Sequence, residues 1–327
     1  MSELQKFIFE GQPVRGMLVR LTDSWQEVLR RRAQVQDTLA LPVRDLLGEM
    51  AAAAVLMQAN IKFNGALILQ MFGDGPVKLA VAQVEPDLSF RVTAKVVAEV
   101  AEGDRLEALM NVSGKGRCAI TLDPKDKKPG QQAYQGVVPL QVFDADEQRL
   151  PMQDLGEVLG HYMQQSEQLD TTLVLAADDK IAAGLLIQRL PAKGLGNLAG
   201  ARLEDEAGSK ESYQHIAHLA NTLKREELLT LNVDEILHRL FWQEPVRRFA
   251  PLKGFNGPRF ACTCSRDHVG RMLLGLGRAE VDDIVAEQGR AEIGCDFCGM
   301  KYHFDAVDVA GLFAPLTSRM PASSTLN

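Results

Sequence analysis

Short apolar runs separated by turn-forming residues open the chain. Phe7 to Phe9 and Met17 to Leu21 read as short strands around the turn-forming Gly11-Gln12-Pro13. The pattern then changes. Ser24 followed three residues later by Glu27 has the form of a capping box, and it predicts a helix carrying Val28 and Leu29. A second helix, from about Pro42 to Lys62, is apolar on most sides (Leu46, Leu47, Met50, Ala51 to Ala54) and is expected inside the core. Strand signals bounded by Gly and Pro follow at Ala66 to Phe72, Val77 to Val84, Phe90 to Val97, Cys118 to Leu122 and Tyr134 to Leu140, which together suggest an antiparallel meander. A helix over Met152 to Gln168 precedes a hairpin of Thr171 to Ala176 and Ile181 to Leu190 that turns at Asp178-Asp179.

The texture changes after Pro191. Residues 192–210 are rich in Gly, Ala and charge and read as a mobile linker. Two amphipathic helices are expected next. One spans Glu211 to Leu229, with Ile216, Leu219, Ala220 and Leu223 on one face. The other is capped by Asn232 with Glu235 reciprocating, and it presents Val233, Ile236, Leu237, Leu240 and Phe241 at helical spacing. Such a face needs a partner. Ordinary packing on the first domain and a metastable cover whose release exposes apolar surface fit the periodicity equally. The expected organisation is an α+β fold with a mostly antiparallel sheet and packed helices over 1–190, a helical linker over 191–258, a small four-cysteine zinc domain over 259–313 and a disordered tail over 314–327.

Composition narrows the setting. The apolar fraction is 46% and the charged fraction 24%, so a globular core is available. No window approaches a membrane span, and the N-terminus lacks a basic stretch followed by an apolar run, which points to a cytoplasmic protein without membrane contact. The net charge is -7, and the stretch from Arg259 to Phe313 has six Lys and Arg against nine Asp and Glu. Nucleic acid is therefore not the expected partner, since a phosphate-gripping zinc ribbon needs a basic face.

Four of the five cysteines fall in the last 66 residues, as Cys262-Thr263-Cys264 and Cys295-Asp296-Phe297-Cys298. Four thiols in two close pairs supply a full tetrahedral set for Zn2+. A purely structural zinc knuckle and a redox-sensitive site both fit this set. Two features favour the second: the first pair is C-x-C, and 30 residues separate Cys264 from Cys295. Within that gap Val269, Met272, Leu273, Leu276, Val281, Ile284 and Val285 predict a small helical core, and Arg266, Arg271 and Lys301 are candidate cationic neighbours of the thiolates. Oxidation to disulfides would consume the ligands and, with them, several kcal/mol or more of folding free energy.

Other chemistry is weaker. His268 and His303 are alternative ligands, whereas His161, His215, His218 and His238 lie on predicted helices with no further signal. Cys118 sits alone in a strand and reads as a buried inert thiol. Gly73-Asp74-Gly75-Pro76 and Gly194-Leu195-Gly196 read as turns, because neither has the strand-to-helix setting of a dinucleotide site; no P-loop, HExxH or nucleophile elbow is present. A thiol-disulfide oxidoreductase using Cys295 and Cys298 is an alternative, but that half of the chain lacks the βαβ pattern such enzymes use. A zinc-bearing nucleic-acid regulator is another, disfavoured by charge.

Cys262-x-Cys264 with Ser265-Arg266, then Cys295-Asp296-Phe297-Cys298-Gly299 and Tyr302, resembles the redox-regulated 33-kDa heat-shock chaperonin family. Phe9-Glu10 with Val14-Arg15-Gly16, the run from Phe72 to Val81, Tyr134 to Val138, Ser166 to Leu169 and Glu226 to Leu231 are similar to that family too, so the likeness covers roughly 4–312. The resemblance implies a non-enzymatic, ATP-independent holdase in which Cys262, Cys264, Cys295 and Cys298 bind zinc when reduced. It also implies that oxidants drive Cys262–Cys264 and Cys295–Cys298 disulfides, that the linker then unfolds, and that the protein forms a homodimer and binds unfolding client proteins. The Gly/Ala stretch at 194–208 looks like a departure from the family's usual linker.

Overall fold

The computed structural model describes residues 1–35, 38–127, 130, 132–144, 146–190 and 203–314, with the side chains of 203–207 left aside. The chain forms two compact units, Met1–Ala261 and Cys262–Asn327. Strands β1 (Glu3–Phe9) and β2 (Val14–Leu21) lead to helices α1 (Asp23–Gln34) and α2 (Leu41–Asn60). Then come β3 (Gly65–Phe72), β4 (Val77–Val84), β5 (Ser89–Val96), α3 (Leu106–Met110), β6 (Arg117–Pro124) and β7 (Tyr134–Pro139). The short strands β8 (Gln141–Phe143) and β9 (Arg149–Pro151) precede α4 (Leu155–Ser166), β10 (Thr171–Ala177) and β11 (Ala182–Arg189). The first unit finishes with α5 (Leu203–Asn221), α6 (Arg225–Thr230), α7 (Val233–Phe241), β12 (Val246–Arg248), β13 (Leu252–Lys253) and β14 (Arg259–Phe260).

Two sheets sandwich α2. One runs in the order β10-β11-β2-β1-β12, antiparallel, with β13 also pairing β1. The other runs β14-β5-β4-β3-β6-β7, antiparallel except for the parallel β14-β5 pair. The expected meander holds for β3-β4-β5, but β6 returns to the far side of β3 rather than continuing past β5. Thirteen residues of α2 are buried, among them Ala51 to Ala54 at 0% exposure, which is why its sequence shows no polar stripe. Small residues permit the close approach: a methyl group at Gly48 would collide with Ala177 of β10.

Both faces of the first sheet are covered. Met17, Val19, Leu21 and Leu186 face α2, while Phe7, Phe9, Leu18, Leu185 and Ile187 point the other way. That second face lies under Ile216, Ala220, Leu228, Ile236, Leu237, Leu240 and Phe241 of α5 to α7, with the Phe7, Phe9 and Phe241 ring centroids 5.0–6.1 Å apart. Tyr213 bonds Thr172 hydroxyl to hydroxyl at 2.8 Å. Arg20 of β2 donates to the carbonyls of Leu228 (2.7 Å) and Leu229 (3.2 Å) at the end of α6. The capping box of Asn232 and Glu235 forms as expected, at 3.0 Å in both directions.

Three local expectations change. Ser24 does not cap α1; Ser2 does, its Oγ accepting from the N–H of Thr22 (3.0 Å) and Ser24 (3.2 Å), while Glu27 turns to Arg30 and Arg31 and is held at about 2 by those hydrogen bonds. The helix expected from Glu211 starts by Leu203, because Leu203-Glu204-Asp205-Glu206-Ala207 are helix-compatible residues with acids in the first turn, and it breaks at Thr222, so α6 is separate. The Gly/Ala stretch to Arg202 and the tail from Pro315 lie outside the described residues. No described helix is long and apolar enough to cross a membrane.

Glu49 of α2 is an ionisable group inside this packing. Only 19% of its side chain is open, its nearest cation is Arg225 at 3.7 Å, and burial pushes its carboxyl up to about 8 in spite of that guanidinium, with Asp154 and Asp45 adding repulsion. A folded carboxyl raised above its ordinary 4.5 keeps a proton that the unfolded chain gives up, so folding loses stability as pH rises from about 4.5 to about 8 and is flat above. Glu49→Gln, neutral at every pH, is expected to flatten that part of the pH dependence of the first unit's thermal midpoint. A wild-type slope retained in the variant would place the proton elsewhere.

Candidate metal centre

The second unit is built from α8 (Arg266–Leu276), α9 (Arg278–Gln288), a β15 (Ala291–Gly294) and β16 (Lys301–Phe304) hairpin, and α10 (Ala306–Leu312). Val269, Leu273, Val281, Ala291, Phe304 and Val309 form its core, with Ile284 and Val285 at the margin. Met272 and Leu276, expected inside, are 47% and 52% exposed: two short helices have room to bury only one stripe each.

Cys262 and Cys264 lie in the extended stretch before α8, whose first turn is capped by Ser265 Oγ accepting from the His268 N–H at 3.1 Å. Cys295 and Cys298 lie in the hairpin loop. There Cys295 N–H donates to Met300 O (2.9 Å), Gly299 N–H donates to Cys295 O (2.8 Å), and Gly299 takes a φ of 70°, which a side chain would strain. The loop so folded turns backbone N–H groups of Phe297 and Cys298 toward the Cys295 sulfur, and that of Met300 toward Cys298.

All four expected sulfurs converge. They lie within 4.8 Å of one another, with Cys262 Sγ to Cys295 Sγ at 3.7 Å and Cys264 Sγ to Cys298 Sγ at 3.4 Å, and all are free thiols. A tetrahedron of sulfurs about 2.3 Å from a central ion has edges of about 3.8 Å, so the donor set fits one tetrahedral metal ion. The electrostatics fit as well. Hydrogen bonding from Cys295 holds the Cys262 thiol well below its usual range, and the same contact pushes Cys295 up, while burial lifts Cys298 to about 11. Crowded thiols thus ionise once and resist a second loss, a balance that a bound dication reverses.

The neighbours differ from expectation. Neither His268 nor His303 joins the convergent set; His303 Nδ1 is 3.4 Å from Glu292. Arg266 stacks 4.3 Å from the Phe304 ring centroid, donates to His303 O and pairs with Asp308, and Lys301 pairs with Glu292, both at 2.7 Å. These cations are committed to carboxylates rather than thiolates, and Arg271 is exposed on α8. The polar neighbour the sequence did not reveal is Tyr302, whose hydroxyl donates to Cys264 Sγ at 3.1 Å; the contact raises the phenol's pKa. Spacing after Cys298 marked Tyr302 only as an aromatic. Cys118 is fully buried in β6, its thiol pushed up to about 12 by burial, which makes it inert as expected.

Comparison with known proteins identifies relatives along nearly the whole chain. The 33 kDa chaperonin of Chromobacterium violaceum is 44% identical over 312 residues, spanning 95% of this chain and 94% of the relative. That of Neisseria gonorrhoeae is 41% identical over 310 residues, spanning 94% and 90%. The crystal structure of the 33 kDa chaperonin of Thermotoga maritima shares the fold with a TM-score of 0.70 at 20% identity, covering 95% of this chain and 97% of that one. The relatives are named for a chaperonin and not for an enzyme. The model of the Hsp33 protein family matches residues 2–305, and the chain belongs to that heat-shock chaperone family.

Proposed function

We propose that the protein is a cytoplasmic, ATP-independent holdase switched on by oxidation. The observation that carries this reading is the convergence of four reduced thiols within 4.8 Å in a unit whose apolar cluster, among the described residues, has six buried members. A core of that size does not outweigh conformational entropy on its own, so a metal held by Cys262, Cys264, Cys295 and Cys298 makes up the difference. Thiolate-only donation favours zinc, which would supply a closed structural centre.

The cysteines then act as the sensor. Each disulfide takes two electrons from two thiolates and reduces one peroxide, with two protons, to two waters. Closure within Cys262–Cys264 and within Cys295–Cys298 consumes every ligand and lets the two segments part. Crossed closure, between the sulfurs that lie nearest, would staple them together. Once the second unit unfolds, helices α5 to α7 unfold in turn, and the sheet face bearing Phe7, Phe9, Leu185 and Ile187 becomes available to unfolding client proteins and to a second copy of the chain.

The test uses the reduced, zinc-loaded chain before and after peroxide with mild heat. Expected results are loss of four of the five thiols, with the buried Cys118 spared, release of one zinc per chain, and nucleotide-independent suppression of client aggregation. Peptide mapping is expected to find the two local disulfides. Equal suppression by the reduced form, or disulfides joining Cys262 to Cys295, would overturn the reading.

A further inference from the structure

The first unit also contains a cavity of about 100 Å³, beneath the C-terminal ends of α2 and α4, with no cysteine in its lining. Met57, Leu67, Ile120, Leu122, Met163 and Leu186 line it, and Arg15, Asn60, Tyr162 and Glu167 supply its polar groups. A dry apolar cavity of about 150 Å³ admits benzene, so this one has room for a branched aliphatic group of about four carbons.

Its polar groups are incompletely matched. Arg15 donates from Nε (3.2 Å) and Nη2 (2.5 Å) to Gln188 Oε1, a neutral acceptor, and among the described residues it forms no ion pair. Asn60 Nδ2 donates to the same oxygen at 2.8 Å, while Asn60 Oδ1 is shut off from solvent and accepts no hydrogen bond. Turning the amides over does not repair this. Thr171 Oγ1 donates to Leu169 O and so accepts from Gln188 Nε2 at 2.8 Å, which fixes Gln188 Oε1 toward Arg15 and Asn60 and leaves Asn60 Oδ1 the orphan. Glu167 has only long contacts from the hydroxyls of Tyr134 (3.4 Å) and Tyr162 (3.5 Å). The cavity therefore combines an apolar hole, a half-buried guanidinium and a loosely held carboxylate.

We propose that this cavity binds an aliphatic α-amino acid, with its side chain in the hole, its carboxylate on Arg15 and its ammonium on Glu167. A charge-assisted hydrogen bond to each end group contributes enough for roughly tenfold discrimination or more against a ligand lacking that end. The site is independent of the cysteine switch.

The experiment is calorimetric titration of the full-length reduced protein with three probes sharing one side chain: L-leucine, 4-methylpentanoate without the ammonium, and 3-methylbutylamine without the carboxylate. Leucine is expected to bind about tenfold or more tighter than either. Arg15→Met is expected to bring leucine down to the level of the amine, and Leu122→Trp, which fills the hole, to abolish binding with the circular dichroism unchanged. No binding of leucine to the wild-type chain, or equal binding of all three probes, would show a hydrated or merely apolar void and overturn the proposal. So would leucine binding that survives in a folded Leu122→Trp protein.

Discussion

Cys298→Ser is expected to abolish stoichiometric metal retention and to unfold the second unit. Cys298 is the most buried of the four clustered cysteines, at 7% exposure, and its sulfur lies 3.4 Å from that of Cys264. A serine hydroxyl neither ionises near neutral pH nor reaches as far as sulfur, so the tetrahedron loses a corner. No nearby imidazole replaces it, because His268 and His303 lie outside the convergent set. The contribution at stake is a large part of the about 10–16 kcal/mol that zinc binding supplies to small modules, against a core of six apolar side chains. Zinc content after passage over a chelator and limited proteolysis of the reduced chain measure the effect. One equivalent of zinc retained, with the second unit still protease-resistant, would show that the four cysteines are not the ligand set.

The part of this site that was legible in the sequence was its donor set, since cysteine spacing reports ligands directly. What surrounds the donors was less so. Arg266 and Lys301 are close to the cysteines in sequence, but long side chains choose among several partners, and Asp308 and Glu292 won. Tyr302 acts through a hydroxyl whose direction is set by the β15–β16 register, which no spacing encodes.

The fold divides in the same manner. The β2 and β11 strands, buried on two faces, and α2, apolar all round, are legible as nearly continuous apolar runs. The short strands β12 to β14 are not, because two or three residues carry no period and depend on an edge already formed by β1 or β5. The cap of α1 escaped for a related reason: its donor groups are satisfied by Ser2, twenty residues away from Thr22, so local spacing pointed to the wrong serine. The cavity beside Arg15 draws its polar groups from segments that the sequence keeps far apart.

Ile236→Asp is expected to release the layer formed by α5 to α7 and to make the reduced, zinc-loaded protein suppress client aggregation without oxidant. Ile236 is fully buried at the centre of the contact between α7 and the outer face of the first sheet. Forcing an unpaired carboxylate into that place costs about 3–5 kcal/mol. The layer spans Leu203 to Phe241, about forty residues, and at the net stability typical of folded chains it is held by about 2–6 kcal/mol. The two figures are comparable, so one substitution suffices to shift the balance toward the uncovered state. Binding of a hydrophobic dye reports the uncovering, zinc content reports the second unit, and light scattering from an unfolding client reports activity. Trp242→Ala is the control: that side chain is 67% exposed just beyond the helix, and its loss is expected to move none of the three readouts. Ile236→Asp protein that binds dye, retains zinc and still fails to hold clients would show that the helical layer is not what keeps the reduced protein inactive.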